Sequence, residues 1–181
     1  MVYQLPDVST LAGLNESDLK ELLAHLFERC DTLNDLIISS ISSISYNSYV
    51  ELVEAVRIML LALLTNPSDP RIPEIIGAHP RLGSNKSLSV HSHSEQASLG
   101  PIDETERLRE LNDLYEKTFP GFRYVVFVNG RSRDVIMQNM KSRIEYADIE
   151  AEKYEAFNVS SNFFFCGFVK MFLLTNRQCA T

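Results

Sequence analysis

Apolar residues recur at helical spacing along most of this chain. Leu19, Leu22, Leu23, Leu26 and Phe27 share one face. Leu14-Asn15-Glu16-Ser17-Asp18 precedes them, where Asn15 can cap free amides, Asp18 can reach back and Leu14 can pack on Leu19 as a staple. A second helix is expected to open at Thr32 or Asn34 and run through Leu33, Leu36, Ile37, Ile41 and Ile44, although its serines are poor helix formers. The strongest helical pattern covers 48–64. There Val50, Val53, Val56, Ile58, Leu60, Leu61, Leu63 and Leu64 become apolar nearly all round, the mark of a buried central helix. Glu51, Glu54 and Arg57 make its start too charged, and the run is too short, for a membrane span.

Asn66-Pro67-Ser68-Asp69-Pro70-Arg71-Ile72-Pro73 imposes a rigid loop, with Pro73 suited to the first position of a short helix ending near Ala78. Residues 83–90 are Ser- and Asn-rich and read as loop. Ser92 can cap a short helix carrying Glu95, Gln96 and Leu99, which Gly100-Pro101 stops. Asp103 and Glu106 open an amphipathic helix through Leu108, Leu111, Leu114, Tyr115 and Phe119, and Pro120-Gly121 ends it. Residues 122–128 form the one strand-like run, aromatic and β-branched. No second strand comes after Asn129-Gly130, so that pair reads as a turn into a helix over 132–145, with further helix over 148–157. The pattern predicts an all-α, single-domain helical bundle over 1–181 with a short extended segment near 122–128, no internal repeats and no linker. The tail over 159–181 is atypical: Phe163, Phe164, Phe165, Phe168 and Phe172 crowd an almost uncharged stretch interrupted by Lys170.

Composition narrows the class. With 181 residues, 45% apolar and 23% charged, the chain is globular, and a domain of this size buries around 70% of its unfolded surface. A formal charge of −7 argues against a nucleic-acid surface, which needs clustered Lys and Arg. Cys30, Cys166 and Cys179 are odd in number and widely spaced, as expected of reduced thiols in an intracellular protein. Met1-Val2-Tyr3-Gln4-Leu5-Pro6 has neither the basic start nor the apolar run of a secretory leader.

Candidate chemistry concentrates between Ile76 and Gln96, a polar island flanked by apolar segments that holds His79, His91, His93 and Glu95. Burying such groups is costly unless they meet a ligand or each other. Pro80 fixes its own φ and keeps His79 extended, so the imidazole is presented from a stiff backbone; the duller alternative is a surface histidine closing a helix end. Glu95 in an apolar pocket would hold its proton more tightly, or else be a solvated acid at a helix start. Ser92 and Gln96 lie on one helical face beside Glu95, where a hydroxyl and an amide could grip a ring amide, and Ser92 could equally be a cap. Residues 122–126 alone look like core, and Arg131 is either a carboxylate anchor or a surface residue at a helix start. His91-x-His93-x-Glu95 invites a metal, but residues two apart on a helix point apart and no further Cys or spaced His completes a zinc set. No metal is expected. A hydrolase lacks its Gly-x-Ser-x-Gly elbow.

Three ordered motifs carry a resemblance over roughly residues 5–157. His79-Pro80-Arg81-Leu82-Gly83, then Ser92-x-x-Glu95-Gln96, then Gly121-Phe122-Arg123-Tyr124-Val125-Val126-Phe127-Val128 with Gly130-Arg131-Ser132, resemble the 2-oxo-4-hydroxy-4-carboxy-5-ureidoimidazoline (OHCU) decarboxylases of urate breakdown. The resemblance implies cofactor-free loss of CO2 from OHCU, with electrons held on a neighbouring carbonyl and a proton delivered to one face to give (S)-allantoin. It implies His79 as proton donor, with Glu95 as its catalytic partner. Substrate binding would fall to Pro80, Ser92, His93, Ser94, Glu95, Gln96, Phe122, Arg123, Tyr124, Val125 and Val126, with Arg131 as an anchor. It further implies a homodimer and a cytoplasmic or peroxisomal setting, although Cys179-Ala180-Thr181 is not a Ser-Lys-Leu address. Neither nucleic acid nor membrane is an expected partner. Two departures stand out. Arg123 replaces a proline common among relatives, and Ser160-Ser161-Asn162-Phe163 stands where relatives carry a substrate-binding arginine. The alternative is a family relative that no longer turns over and acts as a ligand-binding or interaction protein through its phenylalanine-rich end.

Overall fold

The computed structural model describes residues 3–41, 43–83, 103–128 and 130–159. The short helix expected at Ser92 and the phenylalanine-rich tail lie outside the described residues.

A 3-10 turn, Val8–Gly13, leads in, with the Asp7 side chain accepting from the Ser9 amide and Leu11 buried. α1 is Glu16–Leu26. Its cap forms as the sequence dictates: the Asn15 side chain accepts from the Asp18 amide at 2.9 Å and donates to the Asp18 carboxylate at 2.8 Å. Leu19, Leu22, Leu23 and Leu26 face inward. α2, Asp31–Ile41, starts earlier than either expected cap because the Cys30 carbonyl already accepts from the Asn34 amide. α3 is Tyr49–Leu63, capped by Ser48, while Glu51 reaches back to the Asn47 amide at 2.8 Å. One face of α3 (Leu52, Val53, Val56, Leu60, Leu63) is core. Val50 and Ile58 are 40% and 57% exposed, so the helix is central but not enclosed on all sides.

α4, Arg71–Gly77, opens two residues before Pro73. The Asp69 carboxylate makes the start, accepting from the Arg71 amide at 3.0 Å and from its guanidinium at 2.7 Å, contacts that hold its carboxyl down at about 2. Pro73 is tolerated because first-turn amides have no helical partner to lose. α5 is Asp103–Thr118, α6 is Arg133–Tyr146 with Ser132 as its cap, and α7 covers 149–159. On α5, Leu108, Leu111 and Tyr115 are buried, as is Phe119 just beyond its end, whereas Leu114 is 47% exposed and belongs to the outer face. Between α6 and α7 the chain turns at Ala147, whose φ of 48° is left-handed. The Asp148 side chain then caps α7, accepting from the Glu150 and Ala151 amides at 3.0 Å. Residues 122–128 are irregular rather than strand, and no strand occurs among the described residues.

α1 packs on α2, α2 on α4 and α5 on α6, around a core continuous from Leu11 to Phe157. Among the described residues no helix is long and apolar enough to cross a membrane. One close joint is backbone on backbone. Gly77 closes α4 against Gly121, the left-handed residue (φ 85°) that turns the chain out of α5, and a Cβ on Gly77 would lie 2.6 Å from the Gly121 carbonyl oxygen.

Alanine at position 77 therefore sets two effects against each other. Removing glycine from a helix contributes up to about 1 kcal/mol, but overpacking against a backbone oxygen that cannot rotate away costs about 1–3 kcal/mol. Gly77→Ala is expected to lower unfolding stability in urea by a net 1–2 kcal/mol on the order of those figures.

Candidate functional site

The His79 turn is built from the end of α4. The Ala78 and His79 amides close that helix onto the Glu74 carbonyl at 3.1 Å and the Ile76 carbonyl at 3.4 Å. Pro80 then prevents another helical turn and disfavours helical backbone at His79. His79 and Pro80 are half-buried, and Leu82 anchors the turn in the core. Three residues of α5 hold it from the other side. Buried Asn112 donates to the Leu82 carbonyl at 3.0 Å and to the Leu108 carbonyl at 2.8 Å. Arg81 Nε donates to Glu116 Oε1 at 2.6 Å, and its Nη2 donates to Asp113. The imidazole is thus mounted on a turn fixed at both edges.

The stretch after α1 lies against α4. Thr32 Oγ1 donates to Glu74 Oε2 at 2.6 Å, and the Cys30 thiol lies 4.0 Å from the Glu74 carbonyl. This brings Glu28 into range of His79. Burial pulls the His79 imidazole below its ordinary value of 6.5, and the Glu28 carboxylate opposes that shift.

Residues 122–128 are the second described candidate segment. Phe122, Tyr124, Val125 and Val128 are buried, and Val126 and Phe127 half-buried. Lacking a neighbouring strand, the segment is held by side chains. Tyr124 Oη donates to Asn139 Oδ1 at 2.7 Å, and its ring lies 5.0 Å from the Arg143 guanidinium. Arg143 Nη1 donates to the Val125 carbonyl and to Glu152 Oε1, both at 3.0 Å, and Tyr115 donates to the same Glu152 oxygen. Burial raises the Glu152 carboxyl, with Arg143 and Tyr115 working against that rise.

Gly77 lies against Gly121, and Glu116 meets both Arg81 and Arg123, so the turn after α4 lies beside the start of the 122–126 segment. Arg123 Nη1 sits 2.5 Å from Glu116 Oε1, so its guanidinium is engaged by a protein carboxylate. Exposed Arg131 folds back onto its own turn, donating to the Phe127 carbonyl and, from Nε at 3.3 Å, to the Val128 carbonyl. Ser92, His93, Ser94, Glu95 and Gln96 lie outside the described residues, as does His91. Among the described residues no group of three or more His, Cys, Asp or Glu could hold a metal ion.

Sequence reasoning missed Glu28, Asn112, Glu116, Arg143 and Glu152. Asn112 alone carried a signal: it lies in helical register with Leu108, Tyr115 and Phe119, and an amide on a buried stripe has a partner to find. The others sit in charged surroundings that read as solvent-facing.

Two measurements test these electrostatics. The Arg143–Glu152 pair is buried, with side chains 14% and 4% exposed, and removing one partner of such a pair costs about 3–5 kcal/mol. Arg143→Met is expected to lose about 3 kcal/mol at neutral pH, and less as pH falls and Glu152 takes up a proton. For His79, the folded state binds its proton more weakly than the unfolded chain. Its contribution to stability is therefore full above 6.5 and is lost as pH falls from there through the lower folded-state value. Imidazole NMR should place the His79 midpoint below that of an unfolded histidine, and Glu28→Gln should move it lower still; an upward movement would contradict the assigned role of Glu28.

Against this geometry, the likeness to known proteins is specific. The OHCU decarboxylase family model matches residues 12–161. Over 78 residues, 41% of this chain, the sequence is 36% identical to the 2-oxo-4-hydroxy-4-carboxy-5-ureidoimidazoline decarboxylase of Halalkalicoccus jeotgali. Over 76 residues, 40% of this chain, it is 37% identical to the uric acid degradation bifunctional protein PucL of Bacillus subtilis. The matches span 44% and 15% of those relatives' own lengths. The family match covers both candidate segments, the His79 turn and residues 122–128, and most of the helices that hold them: this chain belongs to the OHCU decarboxylase family.

Proposed function

We propose that this protein removes CO2 from OHCU and protonates the product on one face, giving (S)-allantoin, without an organic cofactor or a metal. The observation that carries the reading is the mounting of His79, a half-buried imidazole on a proline-stiffened turn, clamped by α5 and flanked by the Glu28 carboxylate.

That placement suits the chemistry. Departure of CO2 leaves an electron pair delocalised onto the adjacent carbonyl, and a proton must then reach carbon from one side. Before substrate binds, burial favours the neutral imidazole. A substrate carboxylate arriving beside it adds to the pull of Glu28, so His79 gains its proton as the complex forms and holds it poised for delivery. Glu95 is assigned the second catalytic role, sharing a proton with substrate or with His79. Pro80, Ser92, His93, Ser94 and Gln96 bind the ureido and ring groups, and residues 122–126 supply the facing wall. Of that wall, Arg123 contributes backbone rather than a free guanidinium, since Glu116 holds its side chain. Arg131 could anchor a carboxylate only by leaving its own turn. Two chains assembled as a homodimer, in the cytoplasm or a peroxisome, complete the proposed working form.

The test generates OHCU enzymatically from urate and tracks the optical activity of allantoin. The intact protein should produce a one-handed signal well above the spontaneous rate. Losing a positioned acid–base group costs about 10²–10⁴-fold, so His79→Ala and Glu95→Gln should each lower kcat by about that factor with KM less affected. Turnover equal to buffer in the unaltered protein would instead favour a ligand-binding relative without activity.

A further inference from the structure

We propose that Glu116 is a positioning residue that fixes the separation between the His79–Pro80 turn and the 122–126 segment, and thereby sets how tightly substrate is held. The inference rests on the reading of these two segments as the walls of the decarboxylase site.

Its basis is a single carboxylate oxygen shared by two cations. Glu116 Oε1 accepts from Arg81 Nε at 2.6 Å and lies 2.5 Å from Arg123 Nη1. Arg81 comes directly after the His79–Pro80 pair, and Arg123 lies within the facing wall. The two walls already touch where Gly77 meets the Gly121 carbonyl. Two residues beyond Gly77 stands His79, and two beyond Gly121 stands Arg123, so the glycine contact acts as a fixed corner from which both segments run on. Past that corner, Arg81 and Arg123 carry like charges that the Glu116 carboxylate draws together. Neutralise it and the pair repel, opening the angle between the walls. Asp113 takes the second Arg81 nitrogen, but its described ion pairs are with Arg81 and Arg109, so it does not tie the two walls to each other.

Exposure separates a positioning role from a stabilising one. The Glu116 side chain is 23% exposed and its two arginines 32% and 35%. Pairs of that kind contribute about 0–1 kcal/mol to stability, so losing one should leave the fold intact while small displacements of a binding wall still weaken binding.

The test measures OHCU turnover and thermal unfolding for Glu116→Gln and Glu116→Asp. The glutamine variant should raise KM about tenfold with kcat changed no more than about twofold, the signature of lost ground-state binding, and shift Tm by less than about 4 °C. The aspartate variant keeps the charge and should hold KM within about threefold of the unaltered protein. A role in folding alone would lower kcat with the active fraction and leave KM unchanged in both variants, and that result overturns the proposal. A crystal structure of Glu116→Gln gives an independent answer: a His79-to-Val125 separation equal to that of the unaltered protein overturns the inference even if the protein proves inert toward OHCU. Absence of turnover in the unaltered protein counts against the decarboxylase reading alone.

Discussion

Backbone without regular structure still has to satisfy its amides and carbonyls once it is buried. This protein meets that constraint at both irregular segments by borrowing side chains from neighbouring helices. The Leu82 carbonyl is met by Asn112 of α5, and the Val125 carbonyl by Arg143 of α6. Each of these donors is itself held. Asn112 also bonds its own helix at Leu108, and Arg143 rests on Glu152 of α7 beside the Tyr124 ring. The helices α5, α6 and α7 thereby do more than enclose a core, because they determine where two unstructured stretches sit.

The two sets of ionic contacts around those stretches differ in kind. Arg143 and Glu152 are almost fully withdrawn from water, Tyr115 donates to the same Glu152 oxygen as Arg143, and burial pushes the Tyr115 hydroxyl far toward its neutral form. There the desolvation of each charge is large and must be met by its partners, so the pair matters chiefly because leaving either member alone is so unfavourable. The cluster of Arg81, Asp113, Glu116 and Arg123 is open to solvent on one side and screened by salt. Its energetic share in folding is small, and what it supplies is direction. A protein can thus spread stability and alignment over separate groups of charges, one dry and one wet.

Helix starts were legible where a side-chain cap marks them, because caps are local, and were not at α2 and α4. Asn15, Ser48 and Ser132 each do what a polar residue ahead of an apolar run should do. Inward faces were legible where the stripe was narrow, as in α1, and misread where apolar residues were plentiful. Ile58 and Val50 on α3, and Leu114 on α5, face outward although their neighbours are core, because periodicity alone cannot choose among several apolar faces. The motif histidine was legible, but its surroundings were not. Glu28 belongs to a stretch with no pattern of its own, and its place beside α4 is set only by how α1, α2 and α4 pack. The partner of Arg123 was equally hidden, because Glu116 is an acid on the preceding helix that periodicity alone would leave to solvent.

The carboxylate of Glu28 reaches His79 from the far end of another helical unit, across a joint held by Thr32, Cys30 and Glu74. The acidity of the imidazole is therefore not portable. Copied into a peptide or grafted onto a different scaffold, the five-residue stretch from His79 to Gly83 would keep its stiffness and revert to the proton affinity of any solvated histidine. In this family member the proton affinity of the motif histidine is a property of the assembled amino-terminal half.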